Sequence, residues 1–386
     1  MSMQNKISET SFSIKNFILN PENKPIIFLW VFILLSIFAL SYLYEFKQGL
    51  LDINNVNMNL FLKKHRPNIS TVQSSDSTKN YLLRDYYVMS SYNSCCGGQI
   101  DNDYVDLKPL KTVLKHGARA LDFEIYSLNG EPVIGAGPNY EMDEKIFLKG
   151  TYNHLTLDQV FNEIEKSGFG GGVSPNPEDP MFLHFRMKTN NSNLHKTLYK
   201  KIKQYFSKRL LPIRYGFEGK HATRDQNFGR IPLLQAKNKI IIIMNEPKKL
   251  YKNTPMQEII NLSNDMPNYK SFTNQNITFA HEPTEIKNNN KKNFAGSFPD
   301  ITSTTKNFNP AIHHKYGVQL AFMKFNIQDE SLKYYINHFY RNGSAYSLKP
   351  PELRYQVKTI DPPKKQNPAV SYKEKNLDLP MYNNTI

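Results

Sequence analysis

Between Pro25 and Tyr44 the chain reads PIIFLWVFILLSIFALSYLY, a run without one charged side chain. About 20 such residues are what a helix needs to cross a bilayer. Trp30, Tyr42 and Tyr44 suit the lipid–water interface, and Lys24 and Lys47 bracket the run with charge. A cleaved signal peptide is the competing reading, but the run is too long, the polar stretch before it too extended, and no A-x-A-like cleavage site follows. The chain is therefore read as a single-pass membrane protein with an N-terminal tail over 1–24 and a transmembrane helix over 25–44. Lys6, Lys15 and Lys24 precede the span, while Lys47, Lys63, Lys64 and Arg66 follow it. The close flanks lean toward a cytoplasmic N-terminus and leave the side of the folded body open. The sequons at Asn276 and Asn342 do not decide it, because so Asn-rich a chain produces them by chance.

The remaining length has to fold by packing. Of 386 residues 39% are hydrophobic and 22% charged, within the globular range, which excludes wholesale disorder and a multi-span transporter. The two cysteines, Cys95 and Cys96, are adjacent, so they supply neither a disulfide framework nor a zinc-ligand spacing. The formal charge of +15 favours an anionic partner. No RNA- or DNA-binding module accompanies it, so nucleic acid is set aside in favour of membrane and anionic lipid.

Residues 45–80 are polar, lack a sustained period and read as a linker. From Tyr81, short β-rich runs (YYVMSS, RALDFEIY, EPVIG, MFLHFRMK, KIIIIMN, YGVQLAFMKFN) alternate with helical stretches (LKPLKTVLKHG, LTLDQVFNEIEKSG, SNLHKTLYKKIKQYFSKRL). Such alternation predicts an α/β fold around a parallel sheet. The GFGGG at 168–172 lacks the lysine of a phosphate loop and reads as a turn. The segment 251–292, Asn- and Lys-rich from Met256, reads as a surface connection, and 356–386 as a tail.

Three blocks resemble the catalytic core of eukaryotic phosphoinositide-specific phospholipases C: LRDYYVMSSYNSCCGG, HGARALDFEIYSLNGEPVIGAG, and the long FPDITSTTKNFNPAIHHKYGVQLAFMKFNIQDESLKYYINHFYRNGSAYSLKPPELRY. The resemblance implies a TIM-type barrel, whose usual length of about 250 residues suits this body. Its halves would cover 81–250 and 293–355, with the transmembrane helix standing where the family carries lipid-docking modules.

It also implies a site. The family cleaves phosphodiesters with two histidines and calcium; here those histidine positions hold Tyr92 and Ala136. A phenol near its reference pKa of about 10 is a poor base, and a methyl group transfers no proton. Of the metal ligands, Asn93 is retained, Asp122 and Glu124 keep the acidic pair with the residue types exchanged, and Arg186 stands where the fourth ligand is acidic. The i, i+2 spacing points Asp122 and Glu124 to one face, and a guanidinium beside them would pair with them and repel calcium. His184 shares the strand face of Arg186 and offers a relocated imidazole, whereas His313 and His314 read as loop residues. Lys237 and Lys239 match two family lysines that hold inositol phosphates; Ser271 is a further headgroup contact. The family's arginine and tyrosine of the second half appear as Gly296 and Phe298. The expectation is a membrane-anchored, catalytically degenerate phospholipase C-like protein binding phosphoinositide or another anion. The alternatives are a phosphoric diester hydrolase with altered catalytic residues and a structural membrane protein.

Overall fold

The structure is a computed structural model and describes residues 17, 20–65, 67–73, 81–100, 102–137, 150–216, 228–264, 266, 268–300, 305–356, 374 and 376–385. Most of the tail 1–24 and residues 74–80 of the linker lie outside these.

One helix, α1 (Lys24–Lys64), carries the apolar run and continues for about five more turns. Its first half exposes Phe28, Trp30, Phe32, Leu34 and Phe38, and the helix is long and apolar enough to cross a membrane. Its second half buries Leu51, Asn55, Met58 and Leu62, one stripe at steps of three and four residues. The linker expected over 45–80 is thus corrected: 45–64 is helical and docked. The stripe is only four residues wide among Asn, Asp and Lys, which masks its period in the sequence.

The body follows as β1 (Tyr86–Ser91), α2 (Leu107–Lys115), β2 (Ala120–Leu128), β3 (Glu131–Gly135), β4 (Leu155–Thr156), α3 (Leu157–Glu163), β5 (Met181–Met187), α4 (Leu194–Phe206) and β6 (Ile240–Asn245). It continues with β7 (Ile260–Ser263), β8 (Tyr269–Thr273), α5 (Asn274–Thr278), α6 (Pro283–Lys292), β9 (Phe294–Phe298), α7 (Pro310–Lys315), β10 (Leu320–Met323), α8 (Glu330–Asn342) and β11 (Tyr346–Leu348). Eight strands pair in parallel in the order β7-β6-β5-β2-β1-β10-β9-β8, a TIM-type barrel whose ladder, among the described residues, is open only between β7 and β8. β3 and β4 extend β2, and β11 pairs antiparallel with β1.

Two readings change. The segment 251–292 supplies the barrel strands β7 and β8 and the helices α5 and α6, so it is part of the barrel wall. INLS and YKSFT are too short and polar to show a period. His313 and His314 lie on α7 and are buried, where the helix packs them inward.

Strand alternation sorts the core into two layers. Phe123 and Phe185 point outward, and Phe185 meets Phe161 of α3, which packs in turn on Phe206 of α4. Each such ring contributes roughly 1.5–3 kcal/mol by leaving water. Asp122 and His184, at matching register on β2 and β5, point inward. The carboxyl ends of the parallel strands form the barrel mouth, and the amino ends its base. Residues Tyr355–Ile386 form a separate unit whose described part is a hairpin of β12 (Asn376–Asp378) and β13 (Asn383–Thr385).

Candidate functional site

At the mouth, Arg186 of β5 gathers the neighbouring polar groups. Its Nε donates to Asp122 Oδ1 at 2.9 Å and one Nη to Asp122 Oδ2 at 2.7 Å, a bidentate pair. The same Nη donates to Asn93 Oδ1 at 2.6 Å, while the other donates to Glu124 Oε1 at 2.6 Å and to the Tyr92 hydroxyl at 3.0 Å. The guanidinium lies 4.3 Å from the Tyr92 ring centroid. Asp122 is fully buried and Glu124 nearly so, whereas Arg186 keeps 12% of its side chain exposed.

Local structure prepares this arrangement. Register sets Glu124 opposite Arg186 on the neighbouring strand. Asn93 adopts φ 41°, a left-handed conformation that Asn tolerates, directly after β1. The turn aims its side chain at Arg186 and lets its N–H donate to Asp122 Oδ2 at 2.9 Å. The second oxygen of Glu124 accepts from the Tyr126 hydroxyl at 2.7 Å and the Gly137 N–H at 2.9 Å.

His184 contacts the network from the inside. Its Nδ1 lies 2.6 Å from Asp122 Oδ1, and its ring stacks on Phe298 and packs on Phe322, with centroids 4.8 and 5.3 Å away. It is fully buried, and Nε2 has no hydrogen-bond partner among the described residues. Burial pushes its pKa below the ordinary value despite Asp122. The ring is therefore neutral, with the Nδ1–H donating to the carboxylate. Burial would raise the Asp122 carboxyl, but Arg186 and His184 outweigh it and hold the group below the usual carboxylate range. Burial works against the charge on Arg186 as well, and Asp122, Tyr92 and Glu124 overcome it. The Tyr92 phenol is pushed upward, chiefly by burial. Lys188, two residues beyond Arg186, is pushed down to about 8 by burial.

The structure thus brings together Tyr92, Asn93, Asp122, Glu124, His184 and Arg186; Ala136 is buried beside them, one residue before Gly137. Ser271 sits on β8 beside the Tyr269 hydroxyl. A Cβ on Gly296 would come within 2.5 Å of that hydroxyl, so Tyr269 leaves no room for a side chain there. Lys237 and Lys239 are not in this group. They precede β6, whose Asn245 is level with Arg186, so at the strand rise of roughly 3.3 Å per residue Lys239 lies about 20 Å away toward the base and Lys237 farther still. Lys237 pairs with Glu178 at 2.7 Å, and Lys239 donates to the Lys208 carbonyl at 3.3 Å. The reading of these two as mouth ligands is corrected, because lysines ahead of a parallel strand face the base. Sequence reasoning missed Tyr126 and Lys188, although counting two residues on from Glu124 and from Arg186 would have found them.

No family model matches this sequence, and no curated protein matches it. Solved structures match its fold. PLC21 of S. officinalis superposes with a TM-score of 0.55 at 20% identity, over 73% of this chain and 39% of its own. PLC21 of L. pealei gives 0.56 at 18% identity, over 72% and 38%. A calcium-dependent phosphoinositol-specific phospholipase C from a Gram-negative bacterium, Pseudomonas, gives 0.43 at 11% identity, over 68% and 95%. The fold is a phospholipase C-type barrel, and the chain spans well under half of either PLC21.

Proposed function

We propose that this protein is a membrane-anchored phospholipase C-like barrel that performs no phosphodiester cleavage at its mouth and serves there as a non-catalytic surface against anionic lipid. The observation that carries this reading is the Arg186 guanidinium, hydrogen-bonded to Asn93, Asp122 and Glu124 at once. These are the residues that would hold the calcium implied by the resemblance to phosphoinositide-specific phospholipases C. Their oxygens face N–H donors, and the position of an additional acidic ligand carries a positive charge. Such a donor set does not fit calcium, which needs six to eight oxygens.

Among the described residues, the positions to which the resemblance assigns the two histidines supply no proton carrier either. Tyr92 has its phenol pushed further from neutrality and Ala136 has no titratable group. His184 is sealed under Phe298 and Phe322 without access to a substrate hydroxyl. The positive surplus favours a membrane surface bearing anionic headgroups.

The test reconstitutes the full chain in vesicles containing phosphatidylinositol or its bisphosphate, with calcium or with chelator, and measures water-soluble inositol phosphate. Release at the level of protein-free vesicles is expected. Calcium-dependent release abolished by Asp122→Ala would overturn the proposal. Release that persists in chelator and requires His184 would instead support a hydrolase with altered residues.

A further inference from the structure

The docked half of α1 also fixes which end of the barrel meets the membrane. Asp52 of α1 pairs with Lys108 near the start of α2, and Asn59 Oδ1 lies 3.2 Å from His116 Nε2 just past its end. The two helices therefore run side by side in the same direction. α2 follows the mouth loop after β1 and leads into the start of β2, so it runs from mouth to base, and α1 must do the same. Its N-terminal half, the apolar span, projects from the mouth.

The contacts agree along the whole height. At the mouth, a Cβ on Gly97 would approach Asn55 Oδ1 to 2.9 Å, and one on Gly98 would approach Asn54 Nδ2 to 2.7 Å; the missing side chains let helix and loop meet. At the base, the segment after α1 is fastened by Ser70 N–H donating to the Gly343 carbonyl at 3.1 Å and Val72 N–H donating to Asp179 Oδ1 at 2.9 Å. Tyr44, where the span ends, meets Tyr104 edge-on at 6.3 Å, and Tyr104 lies 5.3 Å from Tyr152. Tyr152 and Tyr42 are 58% and 63% exposed. Tyrosines at one level around a span are what a lipid–water interface favours.

We infer that α1 is a rigid stalk that holds the barrel mouth, through the rim formed by Tyr104 and Tyr152, against the headgroup layer of the bilayer that the same helix crosses. The inference rests on the anchor reading of 25–44. Its ligand is the surface of that membrane, presented in cis; the base, with Lys237 and Lys239, faces away.

Depth-dependent quenching tests it. Single cysteines replace Gln99 and Tyr152 at the mouth and Ile213 near the base, in the full chain, and are labelled with a fluorophore in vesicles whose lipids carry a shallow nitroxide. All three positions are at the surface, Ile213 follows Leu210, which bridges to Ile240 at the start of β6, and the buried Cys95 and Cys96 are controlled by the unsubstituted chain. Severalfold stronger quenching at 99 and 152 than at 213 is expected, and equal or reversed quenching would overturn the orientation. A short Gly-Ser insertion after Gln48 should weaken the difference; if it does not, the stalk is not its cause and the inference falls. Resistance to alkaline carbonate extraction is measured in parallel. A chain washed from the vesicles would refute the anchor, whereas a retained chain without the quenching pattern would refute only the orientation.

Discussion

Replacing Arg186 by methionine keeps most of the side-chain volume and removes the charge. It leaves Asp122 and Glu124, 0% and 2% exposed, without their cation, and strips Asn93 and Tyr92 of a donor. Breaking a buried ion pair by removing one partner costs about 3–5 kcal/mol, because the remaining charge stays desolvated. At about 2–4 °C per kcal/mol for a domain approaching this size, the melting temperature near pH 7 should fall by roughly 10 °C. The sign of the pH dependence follows from Asp122. Its folded-state pKa is depressed, so in the parent the stability it contributes is present above the unfolded value of about 3.9 and fades only as pH falls through the folded value. In the variant His184 and the Asn93 N–H still oppose burial but the guanidinium does not, so the carboxyl pKa rises from its value in the parent and protonation relieves the strain. The gap between variant and parent should be widest at neutral pH and narrow toward pH 5. Thermal unfolding of both full chains in detergent, followed by circular dichroism, measures this. A variant as stable as the parent at neutral pH, or a deficit that does not change with pH, would refute the reasoning.

Acid should also destabilise the parent. His184, His314 and His338 are held below the ordinary imidazole pKa by burial, as are His116 and His313, at about 4 and about 3. Below pH about 6.5 the unfolded chain therefore binds protons that the native chain does not, and each such histidine costs up to about 1.4 kcal/mol per pH unit. Melting temperatures should fall steadily from pH 7 to pH 5, and a flat profile would show that these rings are not buried neutral. Lys237→Ala with Lys239→Ala should cost no more than about 1 kcal/mol, the usual worth of a surface pair such as Lys237 with Glu178. The double variant should also leave quenching at position 152 intact; weakened quenching would place these lysines at the membrane. Tyr92→His restores one imidazole to a site where Arg186 occupies the oxygens of Asn93, Asp122 and Glu124, so inositol phosphate release should stay at background; appreciable release would mean that the missing histidine alone limits the chemistry.

Strands with a continuous apolar stretch were legible: YYVMSS is β1 and EPVIG is β3, residue for residue. β7 and β8 were not, since INLS and YKSFT carry at least as many polar as apolar residues and form only within the barrel. The docked half of α1 was hidden for a related reason: its buried stripe includes Asn55, which no hydropathy pattern marks. In the site, residue types revealed two acids and an arginine on facing strands, but not the left-handed turn at Asn93 or the phenylalanine lid over His184. Lys237 and Lys239 were misplaced because alternation gives the side of a strand, while the end of the barrel depends on whether a residue precedes or follows it.

Calcium titration of the full chain and of Arg186→Glu, read by thermal unfolding in detergent, bears most directly on the claim that a guanidinium stands in for a metal. The substitution supplies the missing acidic ligand beside Asn93, Asp122 and Glu124. The parent should melt at the same temperature with calcium or chelator, while the variant should be destabilised in chelator and recover as calcium is added. Stabilisation of the parent by calcium, lost on Asp122→Asn, would contradict the account.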